Sequence, residues 1–205
     1  MATWPTELRE HTTGRNVVGS NLMSRLSFLV EHACKASDNQ FGHGIWTHHI
    51  APMLGVAADL ASRVGADQEI VSIAVLLHDY AGIVDRTKVK DHHIHGAAEA
   101  ERILTEAGYP QSGIDSVKAC ILTHRGSVSL AKDTKEQQCV ADADAIVHMQ
   151  AVASLFFVAY HNLGMGIDEG QRWVKEKIER DWLKLSEMGK EVARSRYEAL
   201  REILR

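Results

Sequence analysis

Along most of this chain apolar residues recur at three- and four-residue spacing rather than alternating, and prolines stand only at positions 5, 52 and 110. That pattern predicts an all-α fold. Leu22 to Ala36 reads as an amphipathic helix with Leu22, Leu26, Phe28, Leu29 and Ala33 inward, broken by Asp38-Asn39-Gln40-Phe41-Gly42-His43-Gly44. Thr47, a candidate cap, opens a second helix to Val64, with His49, Met53, Val56, Ala57, Leu60 and Ala61 on one stripe and Gly65 as its stop. Asp67 is the expected N-cap of a short, very apolar helix from Gln68 to His78, central to the bundle. Tyr80 to Asp91 shows no period and reads as a loop over one end of the bundle. Further helices are expected from His92 to about Ala107, from Ser112 or Gly113 to His124, and within Lys135 to Leu163, with a polar loop at Ser127–Lys132. After Gly164-Met165-Gly166, a charged helix pair over Asp168–Arg205 follows, with Trp173 and Trp182 as packing anchors.

At 205 residues, 45% apolar, the chain is expected to be a single domain, 1–205, with no internal repeat. A net charge of −4, with Lys and Arg scattered, offers no field for polymeric nucleic acid or an acidic membrane. Cys34, Cys120 and Cys139 are odd in number and lack CxxC spacing, as expected of reduced core thiols. With no signal-type N-terminus and no run near the roughly 20 apolar residues of a membrane span, a soluble cytoplasmic protein is expected. A homodimer is left open.

Histidine changes the picture. Twelve are present, eight of them between His43 and His124. His78-Asp79, at the end of the run Ile73-Ala74-Val75-Leu76-Leu77, puts a neutral nitrogen ligand beside a carboxylate where a buried helix stops. His48-His49 precedes it, and His92-His93, His95, His124 and Asp142-Ala143-Asp144 follow, as expected of metal ligands converging from several helices. Imidazole and carboxylate without thiolate suit Fe, Mn, Co, Ni or Zn. Arg86, Lys88, Lys90 and Arg125 supply cations among these histidines. Asp142, two positions from Asp144, is expected to be an exposed neighbour or a hydrogen-bond partner.

The order His49, His78-Asp79, Asp144 resembles the HD-domain superfamily of metal-dependent phosphohydrolases over about residues 41–150. His49-Ile-Ala-Pro-Met53 is similar to the family's first ligand helix, Ala74-Val75-Leu76-Leu77-His78-Asp79 to its central signature, and Ala143-Asp144-Ala145-Ile146 to its last element. His92 ahead of Gly96-Ala97, and Ile121-Leu122-Thr123-His124, resemble the fuller, multi-histidine form. The resemblance implies a helical bundle with the metal site at its centre, completed by an N-terminal helix at about 20–37 and C-terminal helices at about 168–205. It implies six ligands, His49, His78, Asp79, His92, His124 and Asp144, holding one or two ions, iron or manganese favoured, with Asp79 bridging. The implied reaction is attack of metal-bound hydroxide on a phosphoester or phosphoanhydride of a small molecule, a nucleotide first among them. Asp79, His48 and Arg125 are the expected catalytic residues, and Lys88, Lys90, Arg86, His95 and His43 the expected substrate contacts. His93 is left open as ligand, substrate contact or surface residue. Tyr80-Ala81-Gly82 departs from the family's usual Ile-Gly-Lys/Arg, and no GYP-type motif is present, so cyclic-di-GMP hydrolysis is not indicated. The alternatives are an HD-type diiron oxygenase acting on a small polar substrate, and a non-catalytic, metal-containing ligand-sensing module.

Overall fold

The helix that organises the molecule is α3, Gln68–Leu77, in which Ile70, Val71, Ile73, Ala74, Val75, Leu76 and Leu77 are all buried. A helix apolar on every side must be surrounded, and α3 packs against neighbours before and after it in the chain. The computed structural model describes residues 15–126 and 130–205, with side chains from residue 21, and among these it is helical with no strand. Residues 127–129 of the expected Ser127–Lys132 loop lie outside the described residues. Asp67 caps α3 as expected, its carboxylate accepting from the N–H groups of Glu69 (2.9 Å) and Ile70 (3.1 Å).

Around α3 stand α1 (Arg15–Cys34), α2 (Ala51–Val64), α6 (Gln111–Thr123) and α7 (Lys135–Gln150), while α5 (His92–Glu106) lies along α6. Two C-terminal helices, α9 (Ile167–Lys184) and α10 (Glu187–Ile203), cover the outer side of α7, with Trp182 stacked on Tyr197 at 4.0 Å. Gly65, at φ 66, ends α2. The three cysteines are buried and free. Among the described residues no single helix is long and apolar enough to cross a membrane.

Several elements differ from the sequence expectation. Tyr80–Asp91 is not a loop: it forms a short helix, α4 (Tyr80–Val84), followed by a 3-10 turn over Arg86–Asp91. Tyr80, Ala81, Gly82 and Ile83 are buried, and Asp85 caps the turn by accepting from Thr87 N–H at 2.9 Å. An apolar run of five residues is too short to display a helical period. Thr47 does not cap α2; it is exposed, inside a π-helical turn over Trp46–Ile50. Pro52 has no N–H to give the His48 carbonyl, and the wider turn lies just ahead of it. The long segment Lys135–Leu163 bends by 81°. Ala151, at φ −117 and ψ 46, leaves the helical region there, and α8 (Val152–Phe157) and a second π-helical turn (Val158–Asn162) follow. At its start α7 carries a capping box between Thr134 and Gln137.

Candidate metal centre

Five helix ends or first turns meet at the carboxyl end of α3. His78 is the C-cap of α3, and Asp79 directly precedes α4. His49 comes from the π-turn ahead of α2, His92 is the first residue of α5, and His124 is the C-cap of α6. Asp144 projects from the middle of α7. The approach of α5 depends on a glycine: a Cβ at Gly96 would lie 2.9 Å from the His78 carbonyl oxygen and 3.2 Å from Ile121 Cγ2. Only a residue without a side chain lets α5 come this near and deliver His92 one turn earlier.

Three of the rings are oriented identically. Nδ1–H of His78, His92 and His124 donates to the carbonyl oxygens of Val75 (2.7 Å), Val89 (2.9 Å) and Ile121 (2.6 Å). A carbonyl can only accept, so the proton is on Nδ1 and Nε2 is the atom offered inward. His49 Nε2 and His78 Nε2 stand 3.1 Å apart, as do His92 Nε2 and His124 Nε2. At that spacing each pair can share a proton or, with both nitrogens unprotonated, hold a cation between them. Two ligands bound at ~2.1 Å and roughly at right angles lie about 3 Å apart.

Asp79 presents one oxygen to each pair: Oδ2 lies 3.2 Å from His78 Nε2 and 3.6 Å from His49 Nε2, and Oδ1 lies 3.4 Å from His92 Nε2. Asp144 Oδ1 is 3.5 Å from His49 Nε2. The donors therefore form His49–His78–Asp79 on one side and Asp79–His92–His124 on the other, and a third group, His49–Asp144–His148, adjoins the first, each within 4.8 Å. This set, nitrogen and oxygen without sulfur, fits one or two divalent transition-metal ions.

Electrostatics follow the same division. Burial pushes His49 down to about 3, with His148 adding to the effect. Burial acts on His78 too, yet Asp79 outweighs it and holds His78 up at about 9. Asp79 thus favours the charged form of His78 over that of His49. His124 is driven well below its ordinary value, first by burial and then by His78. Asp79 and Asp144 both stay well below the carboxylate range, because neighbouring cations overcome their burial.

Sequence reasoning passed over His148, which stands one turn after Asp144 on the same face of α7. Its ring stacks on His49 at 4.8 Å and 13°, and its Nε2 is 3.6 Å from Asp144 Oδ1. The available signal was an (i, i+4) Asp–His pair on an apolar helix. Its Nδ1 lies 3.1 Å from Asp181 and 3.0 Å from Lys177 Nζ. From the same helix, α9, Lys184 is salt-bridged to Asp144 Oδ2, lies 3.5 Å from Asp181 and donates to the His124 carbonyl at 3.0 Å. A buried charge network from α9 thus braces the inner centre.

The other expected residues are placed as follows. His48 is exposed and lines the cavity described below. Arg125 donates to the Lys90 carbonyl, joining the end of α6 to the 3-10 turn. Lys88 lies 3.8 Å from Asp85 and 3.6 Å from Glu99; Arg86, Lys90 and His95 are exposed; His43 is 3.8 Å from Glu31. His93 is buried with Nδ1 unpartnered. Asp142 is not exposed: it is buried, accepts from Ser186 N–H at 2.9 Å, from the Ser186 hydroxyl and from Gln138 at 2.7 Å, and so fixes the start of α10. The close approach of Gly189, whose Cβ would meet Asp142 Cγ at 2.8 Å, explains that burial.

A cavity of about 570 Å³ opens outward from His49, Asp79 and His148, between the turn at residues 41–48 and the bend joining α7 to α8. Arg86, Lys88, Lys90, His95, His43 and Arg125 do not line it.

The HD domain family model matches residues 46–149, half of the chain. The chain is also similar to a crystal structure of a predicted HD superfamily hydrolase from an uncultured Thermotogales bacterium. Identity is 23%, the TM-score 0.56, and the match covers 97% of this chain and 94% of that one, a likeness of fold. No curated protein matches.

Proposed function

The chain belongs to the HD domain family, and on that premise we propose that it is a metal-dependent phosphohydrolase cleaving a phosphoester of a small molecule. The observation that carries the reading is the Asp79 carboxylate, turned with one oxygen to each of two histidine pairs. His49, His78, Asp79 and Asp144 would hold one ion, and Asp79, His92 and His124 the other. Bound there, such ions supply a water acidified toward neutral pH and positive charge for the phosphoryl oxygens. Iron and manganese are the favoured metals. His148, held at Nδ1 between Asp181 and Lys177, is the side chain placed to move a proton through Nε2 at the inner wall of the cavity. His48, exposed on the cavity wall, would be within reach of a substrate there. Arg125 acts through the Lys90 carbonyl and keeps the 3-10 turn that orients His92.

The test is phosphate release from a panel of phosphomonoesters and nucleotides by protein loaded with Mn or Fe, under anaerobic conditions. Release by the wild type, with His148→Gln slowed about 100-fold at unchanged metal content, is expected. No release without dioxygen, together with oxygen uptake, would replace this reading by the diiron oxygenase. Binding without any turnover would replace it by the ligand-sensing module.

A further inference from the structure

The cavity in front of the metal centre is built for something other than a chain of phosphates. Its outer walls are Phe41, Ile45, Val147, Leu155, Phe157 and Val158, and no Lys or Arg is among the described residues that line it. Apart from the histidines and Asp79 of the inner end, the polar side chains on its walls are Gln150 and Ser154, both uncharged. The cations nearest in sequence to the ligands are engaged elsewhere or exposed: Lys88 with Asp85 and Glu99, Arg125 with the Lys90 carbonyl. A second or third phosphoryl group in this space would bring several negative charges against an apolar wall without a partner, which is strongly unfavourable.

The cavity is nevertheless large enough for a sizeable organic molecule, since pockets of roughly 300–1,000 Å³ hold drug-sized ligands. Two backbone irregularities shape it. The π-turn at Trp46–Ile50 places His48 and His49 on one wall, and the second π-turn begins at Val158 on the other. Such turns are rare and concentrate at functional sites. The 81° bend between them swings α8 away from α7 and opens the space. Phe157, 45% exposed on that helix, gives the rim an aromatic ring awaiting cover.

We infer that the substrate of this centre is a monoester with a single phosphoryl group on an apolar body that fills the cavity between the 41–48 turn and α8. The inference rests on the phosphohydrolase reading for the reacting group and on the cavity for the rest of the molecule. Nucleoside di- and triphosphates are poor substrates on this account.

A homologous series of n-alkylphosphonates, from ethyl to octyl, bound to the metal-loaded full chain and followed by calorimetry, tests it without needing turnover. Each added methylene is expected to tighten binding about fourfold until the cavity is full. Phe157→Lys, at an exposed position where folding is not at stake, is expected to flatten the later part of the series with metal content unchanged. A flat series, no binding, or tighter binding of a nucleoside triphosphate than of octylphosphonate would overturn the inference. A steep series with no phosphoester hydrolysed under any metal leaves the apolar pocket standing and removes the phosphohydrolase reading. Phosphate release from polyphosphates with a flat series does the reverse.

Discussion

Replacing Lys184 with methionine takes an ammonium group away from Asp144, from Asp181 at 3.5 Å and from the His124 carbonyl at 3.0 Å in one step. The side chain is only 6% exposed, so water cannot take over these partners. Burial works against the charge on Lys184, yet the two carboxylates outweigh it and raise its pKa, so the ammonium is present at neutral pH. Removing one partner from a buried pair leaves an uncompensated charge and costs about 3–5 kcal/mol. With a urea dependence of about 2 kcal/mol per molar, the unfolding midpoint of the metal-free protein should fall by about 1.5–2.5 M. Lys177 stays bonded to Asp181 at 2.6 Å, which keeps the loss toward the lower end. Metal beside Asp144 would restore part of the missing positive charge, so the gap between variant and wild type should narrow on loading. Urea titrations in chelator and in excess Mn, followed by circular dichroism, read both numbers. An unchanged midpoint in chelator would refute the claim that α9 braces the centre through charge.

Metal binding should depend on pH through His78. Its pKa, raised from the usual 6.5 to about 9, means that the proton stabilises the metal-free fold fully below pH 6.5 and that this contribution is lost as pH rises through 9. A metal must displace that proton, so apparent affinity should rise about tenfold per pH unit between 6.5 and 9 and then level. Competition with a chromophoric chelator measures it, and a flat profile over that range would contradict the assignment. Gly96→Ala separates two expectations by sign: helix propensity alone favours alanine by about 1 kcal/mol. The contact at 2.9 Å with the His78 carbonyl predicts a loss of about 1–3 kcal/mol instead. Because α5 carries His92, metal content should also fall, and a rise in Tm with full metal occupancy would refute the close-approach argument.

Much of the centre could be read in the sequence because ligand chemistry is local. His78-Asp79 ends an unbroken apolar run, His124 stands two residues before Gly126, and His92 stands four residues before Gly96, so residue type and position announce them together. His148 stands apart from the His43–His124 cluster, on a helix whose apolar run reads as core. Lys184 and Asp181 were harder: they lie on a charged, amphipathic helix whose polar residues read as solvent-facing, and nothing in the period says that this part of α9 turns toward the carboxylates of α7. α4 was missed because five residues show no period, and the bend at Ala151 because neither proline nor glycine marks it. The cavity is a product of that bend, which is why its apolar character could not be foreseen from the motif that lies beside it.

Asp79, with an oxygen facing each histidine pair, is the residue on which a two-ion centre depends. Elemental analysis of wild type and Asp79→Ala, purified without chelator or histidine tag, with phosphate release measured on the same samples, tests this most directly. The wild type should carry about two Fe or Mn per chain, as a two-metal centre requires, and the variant should lose metal and turnover together. Full metal occupancy with undiminished phosphate release in Asp79→Ala would contradict the assignment of the centre.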